Sequence, residues 1–193
     1  MKIYDNFVPF KKCLTDADFG LEEKEMKKYR HRFGARGIIV NDLGKVALLY
    51  KEKKNEYKLI GGGVYANEDP EVAFIREALE ECGCHIEIEQ FLGTFEEIKS
   101  QDAFKQTSYI YLAHVALDTG SLNLTAQEKG EGSRLVWCDI DEAISLVSNS
   151  LDHFVGSIYE GNFSVYHARF IVRRDAEILK FYASFQCNYK KNS

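Results

Sequence analysis

The stretch that decides the fold covers residues 62–84 and reads GGVYANEDPEVAFIREALEECGC. Its first glycine, Gly62, is followed after five residues by Glu68, and after seven more by the run REALEECGC at residues 76–84. At ordinary residue usage, a chance match to these fixed positions in such a chain is on the order of one in a million. The pattern places three glutamates close together behind a glycine-rich loop. Such groups suit the joint binding of a hard divalent cation and a phosphate chain.

The same stretch predicts a helix with two unlike faces. Pro70 suits its first turn, and Gly83 suits the residue just past its end. Apolar side chains at helical spacing predict one buried stripe, made of Val72, Ile75, Leu79 and Cys82. The glutamates predicted on roughly the opposite side are Glu77, Glu80 and Glu81, with Arg76 on the flank.

A solvated acidic face is the plain alternative for such a helix. Glu77 and Glu81 are like charges one turn apart, which destabilises a helix unless a cation lies between them. The glycines Gly61, Gly62 and Gly63 cost backbone entropy unless close backbone approach is needed. Both observations favour a cation and phosphate site.

These residues resemble the Nudix box, G-x5-E-x7-R-E-U-x-E-E-x-G-U, in which U is an apolar residue. Every position is met, with small residues at two apolar sites, Ala78 and Cys84. Ile60 stands where most members of the family have proline. The resemblance implies an α/β fold of the α+β type, a Nudix-like α/β/α sandwich with a mixed, largely antiparallel central sheet.

Strand and helix patterns extend over most of the chain. The predicted strands cover residues 33–40, 45–50, 57–60, 86–95, 108–117 and 135–138, and two further helices cover residues 140–147 and 170–185. Residues 1–32 are predicted to be an N-terminal extension, and residues 33–193 the Nudix domain with its C-terminal helix. Within the extension, residues 21–30 suit a short helix or an arm with a dimer or lid role. Residues 149–166 are expected to form a loop.

Length and composition predict one globular domain. The chain has 193 residues, of which 45% are hydrophobic and 28% charged, enough to bury a sizeable core. No apolar run has the length of a membrane span and the N-terminus lacks a secretory signal, so we expect a cytoplasmic protein without a membrane partner. The five cysteines form no C-x-x-C pair and are expected to be reduced thiols. A net charge of −5 argues against a nucleic-acid partner.

The resemblance assigns the metal-ligand roles to Glu77, Glu80 and Glu81, with a main-chain carbonyl near Gly62 as a further ligand. The implied cofactor is Mg²⁺, with Mn²⁺ as its substitute, because such an ion is usually shared between carboxylates and substrate phosphates. The ion would offset charge on the leaving group and lower the pKa of a bound water, from which a carboxylate removes the proton.

Further residues are expected to support this site. The family pattern implies a salt bridge between Glu68 and Arg76 that fixes the loop against the helix, and Arg76 is counted among the catalytic residues. Arg36, near the start of the first predicted strand, is expected to meet substrate phosphates. The substrate-binding glycines of the loop are Gly61, Gly62 and Gly63.

The catalytic base is left open between a loop glutamate and the box. Family members commonly draw the base from a loop beyond the box, and here Glu128 and Glu131 lie at residues 126–132, before the strand with Trp137. Glu131 is preferred, because the glycines on both sides let the backbone fold close to the site. Glu77 or Glu81 is the alternative base.

The absence of several motifs narrows the range of possible substrates. The chain has two prolines, Pro9 and Pro70, so none follows the box helix. The proline or tyrosine motifs that accompany specificity for ADP-ribose, NADH or diadenosine polyphosphates have no match, nor has the arginine-rich motif of coenzyme A members. A nucleoside triphosphate or a nucleotide sugar remains, with the triphosphate preferred.

We therefore predict a Mg²⁺-dependent hydrolase that cleaves a diphosphate linkage in a nucleoside diphosphate linked to another moiety, with a homodimer as an open expectation. The alternative is a non-catalytic Nudix-fold nucleotide-binding or regulatory module. Such modules usually have lost a box glutamate, and none is lost here. A third reading is an isomerase resembling isopentenyl diphosphate isomerase, whose additional cysteine and glutamate motifs are not found in the chain.

Overall fold

The computed structural model describes residues 8–150 and 163–190, which form seven strands and four α-helices. The strands are β1 (Phe10–Leu14), β2 (Arg30–Val40), β3 (Val46–Lys51), β4 (Glu56–Gly63), β5 (Cys84–Lys99), β6 (Phe104–Asp118) and β7 (Ser133–Cys138). The helices are α1 (Pro70–Glu77), α2 (Ala126–Gly130), α3 (Ile140–Asn149) and α4 (Phe163–Lys190).

The strands form one mixed sheet in the order β1-β5-β6-β2-β4-β3-β7. Strand β1 runs parallel to β5 and β2 parallel to β6. The pairs β2–β4, β3–β4, β3–β7 and β5–β6 are antiparallel. The predicted fold class, a mixed and largely antiparallel sheet with helices, is therefore confirmed.

The chain divides into two compact units, which share strand β4. The described part of the first unit contains residues 8–42 and 60–123, and that of the second contains residues 43–59, 124–150 and 163–190. Residues 56–59 of β4 pair with β3 inside the second unit, whereas residues 60–63 pair with β2 inside the first. The glycine-rich end of β4 thus belongs to the same unit as the box helix.

An aromatic layer joins α1 to the sheet in the first unit. Phe74 of α1 stacks on Tyr111 of β6, with 5.7 Å between the ring centroids. Tyr111 in turn contacts Phe91 of β5 at 5.4 Å. Because these rings are large and mostly buried, they contribute much of the apolar burial that fixes the helix on the strands.

The apolar stripe predicted for the box helix is wrong for three of its four members. Val72, Ile75 and Leu79 are 56%, 37% and 38% exposed, and only Cys82 is buried. The positions that face inward are Ala73, Phe74, Ala78, Glu81 and Cys82. The small alanines allow close approach to the sheet. A π-helical turn at Ala78–Cys82, with its wider winding, carries Glu81 to the buried side.

Part of the N-terminal extension belongs to the sheet. Phe10–Leu14 forms the edge strand β1, and β2 begins at Arg30, three residues before the predicted start. Residues 21–29 form neither a helix nor a strand. Asp16 is buried and its carboxylate accepts hydrogen bonds from the backbone N–H of Ser100, at 2.9 Å, and from the Ser100 hydroxyl. These contacts tie the extension to the turn between β5 and β6.

In the second unit, α4 contains the predicted C-terminal helix and is joined to the sheet through Asp175. Helix α4 packs against α3. The carboxylate of Asp175 accepts a hydrogen bond from the backbone N–H of Leu59 at 2.9 Å and pairs with Arg174 at 2.8 Å, and both side chains are fully buried. Of the predicted loop at residues 149–166, residues 151–162 lie outside the described residues, and α4 begins at Phe163. No helix in the described ranges is long and apolar enough to cross a membrane.

Candidate active site

The glycine-rich end of β4 is bound directly to a box glutamate. The backbone N–H of Gly61 donates a hydrogen bond to Oε2 of Glu81 at 2.9 Å, and Glu81 is only 2% exposed. Gly61 has φ of +139°, and a Cβ there would lie 2.4 Å from the carbonyl oxygen of Ala35. This position therefore requires glycine, and its backbone holds one buried carboxylate in place.

A second glutamate lies against the next glycine. A Cβ on Gly62 would lie 2.4 Å from Oε1 of Glu77, so the absent side chain leaves the room that this carboxylate occupies. The fold thereby brings two glutamates of the box, Glu77 and Glu81, against consecutive residues of the loop. Neighbouring carboxylates at a backbone turn are a typical environment for a hard divalent cation.

Arg76 joins the loop to the helix through all its nitrogens. Its Nε and Nη2 donate to the carboxylate of Glu68 at 2.9 and 3.1 Å, which is the predicted salt bridge, in a bidentate arrangement. Its Nη2 also donates to the carbonyl of Gly63 at 3.0 Å. Its Nη1 donates to Glu77 at 2.8 Å and to Glu80 at 3.3 Å. We call Arg76, Glu68, Glu77 and Glu80 the arginine hub.

The charges of the hub stabilise one another. Hydrogen bonds from Arg76 hold the pKa of the Glu68 carboxyl below its usual range, with the backbone N–H of Tyr65 as a second cause. The hydrogen bond to Glu68 is the first cause of a raised pKa at Arg76. Each group thus favours the charged form of the other, and the side chains of Glu68 and Arg76 are only 12% and 22% exposed.

The donor chemistry fits a hard cation. Three carboxylates from one and a half helical turns offer only oxygen ligands, as Mg²⁺ and Mn²⁺ prefer. Over residues 8–150 and 163–190, however, no three His, Cys, Asp or Glu side chains are arranged to hold a metal ion. In this arrangement Arg76 pairs with Glu77 and Glu80, while Glu81 is bound to the backbone N–H of Gly61.

Two arginines of β2 lie beside the glycine loop. Arg36 is 5% exposed and pairs in register with Gly61. The guanidinium of Arg32 approaches Gly63, where a Cβ would lie 2.9 Å from its Nη2. The loop that precedes the box helix is therefore flanked by positive charge, which suits a phosphate-bearing ligand.

Glu131 and Glu128 belong to the second unit, around the short helix α2. The carboxylate of Glu131 pairs with Lys51 at 3.0 Å and Lys54 at 2.9 Å, and it accepts a hydrogen bond from Gln127 at 3.0 Å. Burial would raise its pKa, but the hydrogen bonds from Gln127, Lys54 and Lys51 outweigh it and lower the pKa to about 2. The carboxylate of Glu128 accepts hydrogen bonds from the N–H and hydroxyl of Thr125, both at 2.8 Å, in a capping box.

The lowered pKa of Glu131 has a consequence for stability. A depressed pKa stabilises the folded state above the unfolded value near 4.5, and this contribution is lost as the pH falls toward about 2. We expect Glu131→Gln to lower the free energy of unfolding by about 1 kcal/mol at pH 7, after allowance for solvent screening. The difference from the wild type should shrink between pH 5 and pH 2 in urea unfolding. A difference that stays constant over this range would contradict the ion-pair assignment.

A cavity of about 460 Å³ lies beside the spacer of the box. Its lining residues are Phe33, Val64, Tyr65, Ala66, Asn67, Glu68, Pro70 and Tyr109. Phe33 and Tyr65 are 45% and 65% exposed, and the rings of Phe33 and Tyr109 stack at 6.4 Å. The ring of Tyr65 also lies against the Arg76 guanidinium, whose central carbon is 4.2 Å from the ring centroid. Sequence reasoning missed both this cavity and this contact. The spacer of the motif has no fixed residues, and Phe33 and Tyr109 are distant in sequence.

Comparisons with known proteins identify the family. The family model of the NUDIX domain matches residues 30–157. The chain therefore belongs to the NUDIX family, as the box predicts. No curated protein matches the chain.

The chain is also similar to solved structures of NUDIX hydrolases. A NUDIX hydrolase from Nitrosomonas europaea is similar with a TM-score of 0.52 at 18% identity, over 72% of this chain and 90% of that one. A NUDIX-family hydrolase from Clostridium perfringens has a TM-score of 0.44 at 19% identity, over 79% of this chain and 98% of that one. At these identities the likeness concerns the fold, and only the first similarity is strong enough to carry that argument.

Proposed function

We propose that this Nudix-type hydrolase is a Mg²⁺-dependent diphosphohydrolase that cleaves the diphosphate linkage of a nucleoside triphosphate or a related nucleoside diphosphate derivative. The observation that carries the proposal is the arginine hub, in which Arg76 gathers Glu68, Glu77 and Glu80 behind a glycine loop that also binds Glu81. Such a concentration of carboxylates at a loop flanked by arginines serves cation and phosphate binding.

Glu77, Glu80 and Glu81 would hold the cation, together with a carbonyl near Gly62. When bound, Mg²⁺, or Mn²⁺ in its place, neutralises charge on the diphosphate and acidifies a water molecule. The roles of the chain follow from its contacts. Arg76 orients the carboxylates through its hydrogen bonds, and Gly61 keeps Glu81 in place. The loop glycines let the phosphates approach the backbone closely.

We propose Glu131 as the group that takes the proton from the attacking water. Glu131 also has a structural role, because its carboxylate pairs with Lys51 and Lys54. While these two lysines remain paired with it, its pKa of about 2 makes it a weak base. Glu128 is less favoured, because its carboxylate completes the cap of α2. Glu77 or Glu81 takes the role if neither residue near α2 matters.

The substrate is expected to carry an aromatic base. Arg36 and the loop glycines Gly61, Gly62 and Gly63 are proposed to bind its phosphates. The cavity beside the spacer is in the size range of small-molecule sites, and its aromatic lining suits a planar ring. Glu68 of the arginine hub is among its lining residues, which supports a ligand bound beside the hub.

The hydrolysis products of a substrate panel test the proposal: phosphate or pyrophosphate from a triphosphate, and nucleoside monophosphate with sugar 1-phosphate from a nucleotide sugar. Nucleoside triphosphates, nucleotide sugars and inorganic triphosphate are incubated with Mg²⁺, with Mn²⁺ and with EDTA. We expect metal-dependent release, fastest from a nucleoside triphosphate. Tight nucleotide binding without any release would favour the alternative, a non-catalytic binding module.

The aromatic cavity gives a second prediction. Phe33→Ala removes one of its exposed rings, and stacking of a base on an aromatic ring is worth about 1–3 kcal/mol. We expect KM for a nucleoside triphosphate to rise about tenfold, while kcat changes less than about threefold. Leu43→Ala is the control, because Leu43 is also an exposed apolar residue, 82% against 45% for Phe33, and lies in a turn of the other unit. Equal KM values for Phe33→Ala and Leu43→Ala would show that the cavity is not part of the substrate site.

A homodimer and a cytoplasmic location stay predictions. The exposed apolar side chains of the box helix, Val72, Ile75 and Leu79, are a surface on which to test the dimer. Light scattering of Ile75→Glu and of the wild type compares their molar masses in solution and so measures whether a dimer depends on that surface.

A further inference from the structure

We propose that Tyr65 is a positioning residue, whose ring holds the Arg76 guanidinium where Arg76 orients the carboxylates of Glu77 and Glu80. Tyr65 lies in the spacer of the box, at a position that the motif leaves open. The expected effect on turnover rests on the proposed function. The contacts that carry the inference do not depend on the substrate.

The hydrogen bonds of Arg76 restrain it only within the plane of its guanidinium group. Two go to Glu68, one to the carbonyl of Gly63, and one each to Glu77 and Glu80. A planar group with its donors engaged at the rim can still tilt about that rim. Contact over its face is therefore what completes the restraint.

Tyr65 supplies that contact. The central carbon of the Arg76 guanidinium lies 4.2 Å from the centroid of the Tyr65 ring, within the range of a cation–π interaction. The backbone N–H of Tyr65 donates to Oε2 of Glu68 at 2.8 Å. The same carboxylate thus anchors both the ring and the guanidinium that the ring covers.

The ring also covers one face of the Arg76 guanidinium from solvent. Tyr65 is 65% exposed, whereas the side chains of Arg76, Glu68 and Glu77 are 22%, 12% and 13% exposed. Exposed ion pairs contribute little because water screens them and long side chains lose entropy on pairing. Without the ring, the hub would become such an exposed network, and Glu77 and Glu80 would lose their fixed orientation.

The first measurement observes Arg76 without metal or substrate. The Nε–H proton of an arginine exchanges slowly with water when it is hydrogen-bonded and covered, and NMR detects it. Arg76→Lys assigns the signal. We expect exchange of the Arg76 Nε–H to be about tenfold faster in Tyr65→Ala than in the wild type. Tyr65→Phe, which keeps the ring, should stay within about twofold of the wild type.

The second measurement separates orientation from substrate binding. Mn²⁺ titration without substrate should show weaker affinity for Tyr65→Ala, and kcat should fall, each by about two- to fivefold, the range set by one cation–π contact at an exposed ring. Phe33→Ala is the matched control, since Phe33 lines the same cavity and stacks on Tyr109. That variant should alter KM but leave Mn²⁺ affinity unchanged.

The outcomes separate this inference from the proposed function. Unchanged Nε–H exchange in Tyr65→Ala would overturn the inference, whatever the substrate. Tighter Mn²⁺ binding by that variant would overturn it as well, since the ring would then be holding the carboxylates away from the cation. Faster exchange in a protein that releases no phosphate would support the positioning role and contradict only the hydrolase proposal.

Discussion

Glu81→Gln is expected to abolish most phosphate release without unfolding the protein. Glu81 is 2% exposed and accepts a hydrogen bond from the N–H of Gly61, and the amide oxygen of glutamine can accept the same bond. The neutral side chain is a poor ligand for Mg²⁺, so transition-state stabilisation should fall by several kcal/mol, about a hundredfold or more in rate. Turnover at saturating Mg²⁺ and thermal unfolding measure the two parts of this prediction.

Glu71→Gln is the matched control for this loss of charge. Glu71 lies in the first turn of α1, is exposed, and is outside the fixed positions of the box. Its variant should keep wild-type turnover. If Glu81→Gln turns over fully with unaltered dependence on Mg²⁺, the metal-ligand role of Glu81 is wrong. The free energy of unfolding of Glu81→Gln should equal that of the wild type or be slightly higher, since this variant removes one of two like charges that lie a turn apart.

Glu131→Ala is expected to lower kcat by about 10²–10⁴-fold, far more than it changes KM. A general base acts in the transition state, so its loss should appear in turnover and leave substrate affinity nearly intact. Glu128→Ala should be mild, because Glu128 only completes the cap of α2. Steady-state kinetics of both variants at saturating Mg²⁺ measure the difference.

The lysine partners of Glu131 require one further control. Glu131→Ala also removes the ion pairs with Lys51 and Lys54, and the loss of these pairs would itself disturb the structure around α2. Lys54→Ala removes one of these pairs while the carboxylate remains, and it should keep most of the turnover. A loss as large as that of Glu131→Ala would assign Glu131 a structural role. If Glu128→Ala loses far more turnover than Glu131→Ala, Glu128 is the catalytic base. If both variants turn over at nearly the wild-type rate, the base is a glutamate of the box.

Local patterns predicted most strands but missed the strand β1 and the short helix α2. The edge strand β1 carries two lysines and no clear alternation, so its pairing with β5 is decided by packing. Helix α2 spans five residues, below the length at which hydrophobic periodicity is readable. Its capping box, Thr125 with Glu128, was the available signal, because a threonine followed three residues later by glutamate marks a helix start.

The sequence by itself determined the family, the class of fold and the residues at which cation and phosphate chemistry is expected. The fixed spacing of the box carries that information, because it needs only residue identities along one segment. It also contained the salt bridge of Glu68 with Arg76, whose partners lie eight residues apart.

Only the tertiary structure decided which side of the box helix is buried, that Tyr65 covers Arg76, and that two lysines hold Glu131. Helical spacing sets the angles between side chains but not which of them meets the sheet. That choice depends on Phe74 finding Tyr111 and on Glu81 reaching the N–H of Gly61. Contacts between segments distant in the chain arise from packing, and no local pattern records them.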